Sequence, residues 1–120
     1  PVVIYTTGYH FQKLETLIKK DLVDGVHMDL KLPYDLIDES DSDLMLHTLG
    51  KKLNREERAN LLNSIELVVK SDKGFSQIRS VKYPFLDESA FFECNRYIKE
   101  LNDKYKKNTP YEVHPFYSAK

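Results

Sequence analysis

The stretch that decides the fold is GVHMDLKLPYD, residues 25–35, in which apolar and ionisable side chains alternate. A period of two predicts a β-strand with one apolar face and one face carrying His27, Asp29 and Lys31. Exposing such a polar face to water costs little free energy. In a sheet covered on both sides, however, the ionisable side chains are desolvated and need hydrogen-bonding partners or a ligand. The elements around this strand determine which case applies.

Strand and helix patterns alternate along the rest of the chain. Further strands are predicted in PVVIYTTGY, FSQIRSVKYP and YEVHPFY. Between the strands, apolar residues at helical spacing predict a helix from Phe11, a short helix ending near Gly50, a longer one with Asn54 and Glu57 as a capping pair, and one capped by Asp87. The predicted order is therefore β, α, β, α, α, β, α, β.

The apolar positions of the helices predict the core. They are Leu14, Leu17, Ile18, Leu61, Leu62, Ile65, Val68, Val69, Ala90, Cys94, Tyr97, Ile98 and Leu101. The pair Asp24-Gly25 is predicted to end the first helix, and Asp72 to Gly74 to form a turn before the third strand.

Strands separated by helices pair in parallel through right-handed crossovers, so the fold class is α/β and the architecture is a parallel β/α half-barrel. The face that carries Asp29 would then point towards the inside of the half-barrel. In such folds, binding groups gather at the carboxyl ends of the strands.

Length and charge exclude several kinds of partner. The 120 residues suit one domain, with 41% hydrophobic and 31% charged residues. A net charge of −1 gives no electrostatic case for nucleic acid or an anionic membrane, and no apolar run is long enough to cross a bilayer. We expect a cytoplasmic protein. The lone Cys94 excludes an internal disulfide or a multi-cysteine metal site within this chain, and no metal ligands are predicted.

Polar side chains follow each predicted strand. They are the Thr6-Thr7-Gly8 turn, the pair Asp29 and Lys31, Arg79, and the segment from His114 to Tyr117. Such a set suits a zwitterion, since a carboxylate holds an ammonium and a guanidinium binds a carboxylate through two hydrogen bonds.

Taken in order, the motifs YTTG, DGVHMDLKLP, SIELVV followed by IRSVKYPFLDE, and YEVHPFY resemble the later half of a radical S-adenosylmethionine (SAM) domain. They are most similar to the glycyl-radical-enzyme activases, namely pyruvate formate-lyase activating enzyme and the anaerobic ribonucleotide reductase activating proteins. In that family the successive strands end in Thr-Asn-Gly, Asp-x-Lys, Arg with Val and Pro beyond it, and Pro-Phe-His. The resemblance implies that residues 1–120 are the C-terminal portion of a radical SAM domain, the later strands of a partial (β/α)6 barrel.

The resemblance also implies roles for the strand-end residues. Thr6 and Thr7 would lie near the methionine part of SAM or a cation beside its carboxylate. Asp29 would lie near the amino group or that cation, and Lys31 near a carboxylate or the substrate peptide. Arg79, on the neighbouring strand, would complete the wall of the same binding site.

His114 and Tyr117 would lie near the position of the family's last histidine, which Tyr117 replaces. Tyr5 stands where activases often have aspartate, and Thr7 replaces asparagine.

The CxxxCxxC loop of the family has no counterpart in this chain, whose single cysteine cannot ligate a four-iron, four-sulfur (4Fe-4S) cluster. SAM and the cluster would belong to the intact enzyme, and the upstream part of that enzyme would be the partner of this chain. A glycyl radical enzyme is the further partner that the resemblance implies. We expect the isolated chain to hold no cofactor, to contain no catalytic residue and to leave SAM uncleaved.

Other interpretations remain open at this stage. Asp29 and Lys31 could be an ion pair that stabilises a sheet, and Arg79 could pair with an acidic helix residue. The whole chain could be a cluster-less binding domain, or part of another radical SAM class such as a deazapurine-forming carboxylase. A tautomerase using the Pro1 amine and an aldolase using Lys31 as a Schiff base are further enzymatic alternatives.

Overall fold

The fold is that of a computed structural model, which describes residues 1–8, 10–30, 54–82 and 88–115. Several predictions lie outside the described residues: the short helix ending near Gly50, the Asp87 cap, the side chain of Ala90, and the site residues Lys31 and Tyr117. In the described part of the chain, no helix combines the length and apolar character that crossing a bilayer requires.

Strands and helices alternate through the described residues. Their bounds are β1 Val3–Thr6, α1 Phe11–Lys19, β2 Gly25–Asp29, α2 Arg55–Lys70, β3 Gln77–Lys82, α3 Glu88–Tyr105 and β4 Tyr111–Pro115. The strands form one sheet in the order β1-β2-β3-β4, and each neighbouring pair is parallel. The predicted α/β class with parallel strands is confirmed, and the architecture is compatible with a half-barrel.

The helices pack on one face of this sheet. The core beneath them combines helix side chains with those strand residues that share a face with Met28, which is completely buried. Its buried members are Leu14, Val23, Val26, Met28, Leu30, Leu61, Ile65, Val68, Val69, Ile78, Cys94, Ile98 and Leu101. Leu17, Ile18, Leu62 and Tyr97 pack against this core as partly buried residues. The apolar face predicted for the 25–30 strand is therefore the face under the helices.

The ends of two helices test the capping predictions. Asn54 Oδ1 accepts from the Glu57 N–H at 2.8 Å, and Glu57 Oε1 accepts from the Asn54 N–H at 3.2 Å, which confirms the predicted capping pair of α2. The predicted end of α1 at Asp24-Gly25 is wrong. The helix ends at Lys19, because Asp21 turns left-handed with φ 57° and the chain then leads directly into β2.

A buried carboxylate fixes the loops at the amino edge of the sheet. Asp72 Oδ1 accepts from the N–H groups of Gly74 and Ser76 at 2.8 and 3.0 Å, and its Oδ2 accepts from Thr109 Oγ1 at 2.6 Å. One side chain therefore joins the loop before β3 to the loop before β4. Because Asp72 is only 7% exposed, solvent replaces these bonds poorly if they are lost.

Asp72→Ala should lower the free energy of unfolding by about 2–4 kcal/mol, because it leaves buried donors without an acceptor. Asp72→Asn keeps one oxygen acceptor and should lose less. Urea denaturation followed by circular dichroism measures both. Asp103→Ala, at an exposed position of α3, is the control and should change stability by less than about 0.5 kcal/mol. Equal losses in Asp72→Ala and Asp103→Ala would contradict the structural role of Asp72.

The contact between α2 and α3 includes an acidic group with a shifted pKa. Hydrogen bonds from the Tyr105 hydroxyl and, at 3.1 Å, from Lys104 Nζ lower the pKa of Glu66 below its usual value. A carboxyl group with a lowered pKa stabilises the folded state above its unfolded pKa, and this stabilisation disappears as the pH falls through the folded pKa.

Tyr105→Phe should therefore destabilise the protein more at pH 7 than at pH 3. The loss at pH 7 should be below about 1 kcal/mol, because the Glu66 side chain is 36% exposed and water screens its interactions. Urea denaturation at the two pH values measures the difference. A loss independent of pH would show that the hydroxyl acts through packing alone.

Candidate functional site

An ion pair joins the carboxyl ends of β2 and β3. The parallel register sets Asp29 opposite Arg79, and Arg79 Nε donates to Asp29 Oδ1 at 2.8 Å. Both side chains are about one-third exposed, at 32% for Asp29 and 27% for Arg79. At this exposure the pair contributes little to stability, so its main effect is to fix the position of the two charges.

Tyr5 extends this arrangement to β1. The Arg79 guanidinium carbon lies 5.0 Å from the centroid of the Tyr5 ring, so the arginine reaches across β2 from β3. The His27 ring meets the same tyrosine edge-on, with centroids 5.1 Å apart and planes at 77°. Tyr5, His27, Asp29 and Arg79 therefore form a connected set on the sheet face opposite the helices, which we call the open-face cluster.

The turn after β1 is fixed from two directions. Thr6 Oγ1 accepts from the Gly8 N–H at 3.0 Å, and the buried Ser64 of α2 donates from Oγ to the Gly8 carbonyl at 2.7 Å. Gly8 has φ +84°, in the left-handed region, and its Cα faces the end of Met28. The Thr6 hydroxyl thus builds the turn, while Thr7 is exposed.

Residues from β1 and β2 line an open cavity at the carboxyl edge of the sheet. It measures about 340 Å³ and is lined by Tyr5, Thr6, Thr7 and Asp29. Arg79 adjoins the cavity through its bond to Asp29. Among the residues that the structure describes, the Arg79 Nη groups and Asp29 Oδ2 have no hydrogen-bond partner, and such groups can serve a ligand as donors and as an acceptor.

The structure brings Thr6, Thr7, Asp29 and Arg79 together, as the sequence predicts. His114 lies on β4, the strand beyond Arg79, in register with Val81 and on the same sheet face as Arg79. Its Nε2 is 3.3 Å from Glu112 Oε2 without hydrogen-bond geometry, and it is not among the residues that line the cavity. Asp29 forms an ion pair with Arg79, so within the described part of the chain the acidic partner of Arg79 is a strand residue.

Sequence reasoning assigned no functional role to two residues of the site, Tyr5 and Ser64. Tyr5 alternates with Ile4 and Thr6, so period-two reasoning could have placed it on the face of His27. Ser64 is a polar residue within the apolar stripe of α2, and a fully buried serine requires a partner. That signal was present, but its partner Gly8 is 56 residues away.

The described residues give no place for an iron–sulfur cluster. Cys94 is 1% exposed in the core, as predicted, and it lies near Tyr111, whose pKa is raised by burial. Across residues 1–8, 10–30, 54–82 and 88–115, no group of three histidine, cysteine or acidic side chains is arranged to hold a metal ion. A 4Fe-4S cluster therefore does not fit these residues, whereas the opposite charges of Asp29 and Arg79 suit a ligand that carries both an ammonium and a carboxylate.

Comparisons of this chain with sequence profiles of protein families, with curated proteins and with solved structures give no match. The functional interpretation therefore depends on the site itself.

Gly8→Ala should destabilise the protein more than Gly74→Ala does, although both glycines have positive φ. At Gly74 a Cβ meets no atom within 4 Å, so only backbone strain of about 1–2 kcal/mol applies. At Gly8 a Cβ would overlap Met28 Cε and lie 3.2 Å from Leu61 Cδ1, which adds a packing cost of about 1 kcal/mol or more. Equal losses on urea denaturation would show that the turn is not packed tightly against β2.

Proposed function

We propose that this chain is the C-terminal portion of a radical SAM domain of the activase-like kind, and that the carboxyl edge of its sheet binds the amino-acid end of SAM. The observation that carries the proposal is the Asp29–Arg79 ion pair beside the cavity lined by Thr6 and Thr7. It supports the proposal because a carboxylate and a guanidinium held side by side complement an ammonium and a carboxylate on one carbon atom.

Each residue has a defined contribution in this proposal. Asp29 accepts from the SAM ammonium through Oδ2, the oxygen not bonded to Arg79 Nε, and Arg79 donates to the SAM carboxylate through its Nη groups. Thr7, exposed at the cavity, offers a hydroxyl to the same end of the ligand. Binding adds contacts to the existing ion pair, because Arg79 Nε and one Asp29 oxygen stay engaged with each other.

The strand order also supports the proposal. Four parallel strands in sequence order match the expected arrangement of the later strands of a partial (β/α)6 barrel. The upstream part of the same enzyme, with its CxxxCxxC loop, would hold the 4Fe-4S cluster, and a glycyl radical enzyme is the proposed substrate. In enzymes of this class the cluster and SAM together supply a 5′-deoxyadenosyl radical. The proposed location is the cytoplasm.

A cluster-less binding domain is the second candidate. The observation that favours it is Cys94, the only cysteine of the chain, which lies in the core and cannot serve as a cluster ligand. In that case the same edge would bind a zwitterionic ligand or a partner without SAM cleavage. The coding sequence upstream of Pro1 separates the two, because the radical enzyme requires a CxxxCxxC motif there.

Titration of the ¹⁵N-labelled chain with SAM should shift the amide signals of Thr6 to Gly8, Asp29 and Arg79. Charge-assisted hydrogen bonds contribute about 1.5–3 kcal/mol each, so two contacts predict a Kd on the order of 1 mM. Arg79→Gln and Asp29→Asn should each weaken binding about tenfold, because each removes one charged contact.

Arg96→Gln is the matched control for this titration. Arg96 is an exposed arginine on α3 that pairs with Glu93 and Glu100, on the opposite side of the sheet from the open-face cluster. Its replacement should leave the Kd unchanged. Shifts confined to other residues, or equal affinities in Arg79→Gln and the wild-type chain, would overturn the proposed site.

A further inference from the structure

Tyr5 occupies an unusual position for a large aromatic residue. Its side chain is on the sheet face opposite the helices, it is 67% exposed, and it lines the cavity at the carboxyl edge. Packing in the hydrophobic core therefore does not explain why an aromatic residue occupies this position. Its described ring contacts are with His27 at its edge and with the Arg79 guanidinium over its face.

The Arg79 guanidinium is restrained in two different ways. Asp29 fixes the Nε end through a hydrogen bond in the plane of the group, at 2.8 Å. Tyr5 provides the second restraint, because the central carbon of the guanidinium lies over the Tyr5 ring, 5.0 Å from its centroid. A cation–π contact uses none of the guanidinium hydrogen-bond donors, so the Nη groups can still donate to an oxyanion beside the cavity.

These restraints act before a ligand arrives. A free arginine side chain samples many rotamers and loses that freedom when it binds a carboxylate, which weakens the affinity. An arginine already held in one orientation loses less. The aromatic ring therefore raises the affinity for a carboxylate without needing to contact the carboxylate itself.

We infer that Tyr5 is a positioning residue, which holds Arg79 oriented for the carboxylate of the ligand and so makes the site selective for amino-acid ligands that carry one. This inference rests on the proposed binding of SAM at the same edge. It deepens that proposal by assigning the carboxylate selectivity to a residue on a third strand.

The test compares SAM with decarboxylated SAM, which keeps the sulfonium, the adenosyl group and the amine but lacks the carboxylate. The ratio of their two Kd values isolates the carboxylate contact from every other contact. For the wild-type chain we expect a ratio of about 10 to 100, the equivalent of one charge-assisted contact. Amide-shift titrations of the ¹⁵N-labelled chain give both constants.

Tyr5→Leu should lower this ratio about two- to five-fold, the usual effect of losing an exposed cation–π contact. Tyr5→Phe keeps the ring and should keep the ratio, while Arg79→Gln should lower it about tenfold. Phe92→Leu is the control, because Phe92 on α3 is also 67% exposed and lies away from the site. Urea denaturation checks that each variant folds.

The outcomes separate the two proposals. A wild-type chain that does not bind SAM would overturn both of them. Binding with a ratio that Tyr5→Leu leaves unchanged would overturn the role of Tyr5 alone and leave the SAM site in place. A ratio lowered equally by Phe92→Leu would attribute the effect to general loosening of the fold and would also overturn it.

Discussion

The parallel register between β2 and β3 is the constraint on which the site depends. It sets Asp29 opposite Arg79, and the parallel register between β1 and β2 sets Tyr5 opposite His27. A slip by one residue would turn each of these side chains to the other face and bring Met28 and Ile78 out of the core. Since burial of those two residues fixes the register, the apolar face of the sheet determines the geometry of the polar one.

The amino and carboxyl edges of the sheet differ in how far their polar groups are hydrogen-bonded. At the amino edge the bonds of Asp72 close the loops on themselves, and its carboxylate oxygens are both occupied. At the carboxyl edge, Asp29 and Arg79 share one hydrogen bond and retain other hydrogen-bonding groups without partners among the described residues. Parallel α/β folds usually bind ligands at that second edge, and the distribution of satisfied and available groups in this chain agrees with that rule.

Local sequence signals predicted individual strands and helices correctly where short-range interactions determine them. The alternation around Met28 predicted both the strand and its buried face, and the Asn54 and Glu57 pair predicted the start of α2. The end of α1 was misplaced because glycine was taken as the breaker, although Asp21 adopts the left-handed turn and Gly25 begins β2. Gly25 has its own reason to be glycine, since a Cβ there would meet the Phe75 backbone.

The candidate site could be predicted only in part, because its contacts join distant parts of the chain. Sequence order and the carboxyl-edge rule were enough to group Thr6, Asp29 and Arg79. The cation–π contact between Arg79 and Tyr5 depends on an arginine reaching across a whole strand, which no spacing pattern encodes. The helical crossovers determine the order of the strands, and this order can be predicted from the sequence. Which side chains contact each other depends in addition on their length and rotamer. The chemistry of this edge therefore depends on contacts between long side chains from different strands. Such contacts follow from the three-dimensional structure and not from the spacing of residues in the sequence.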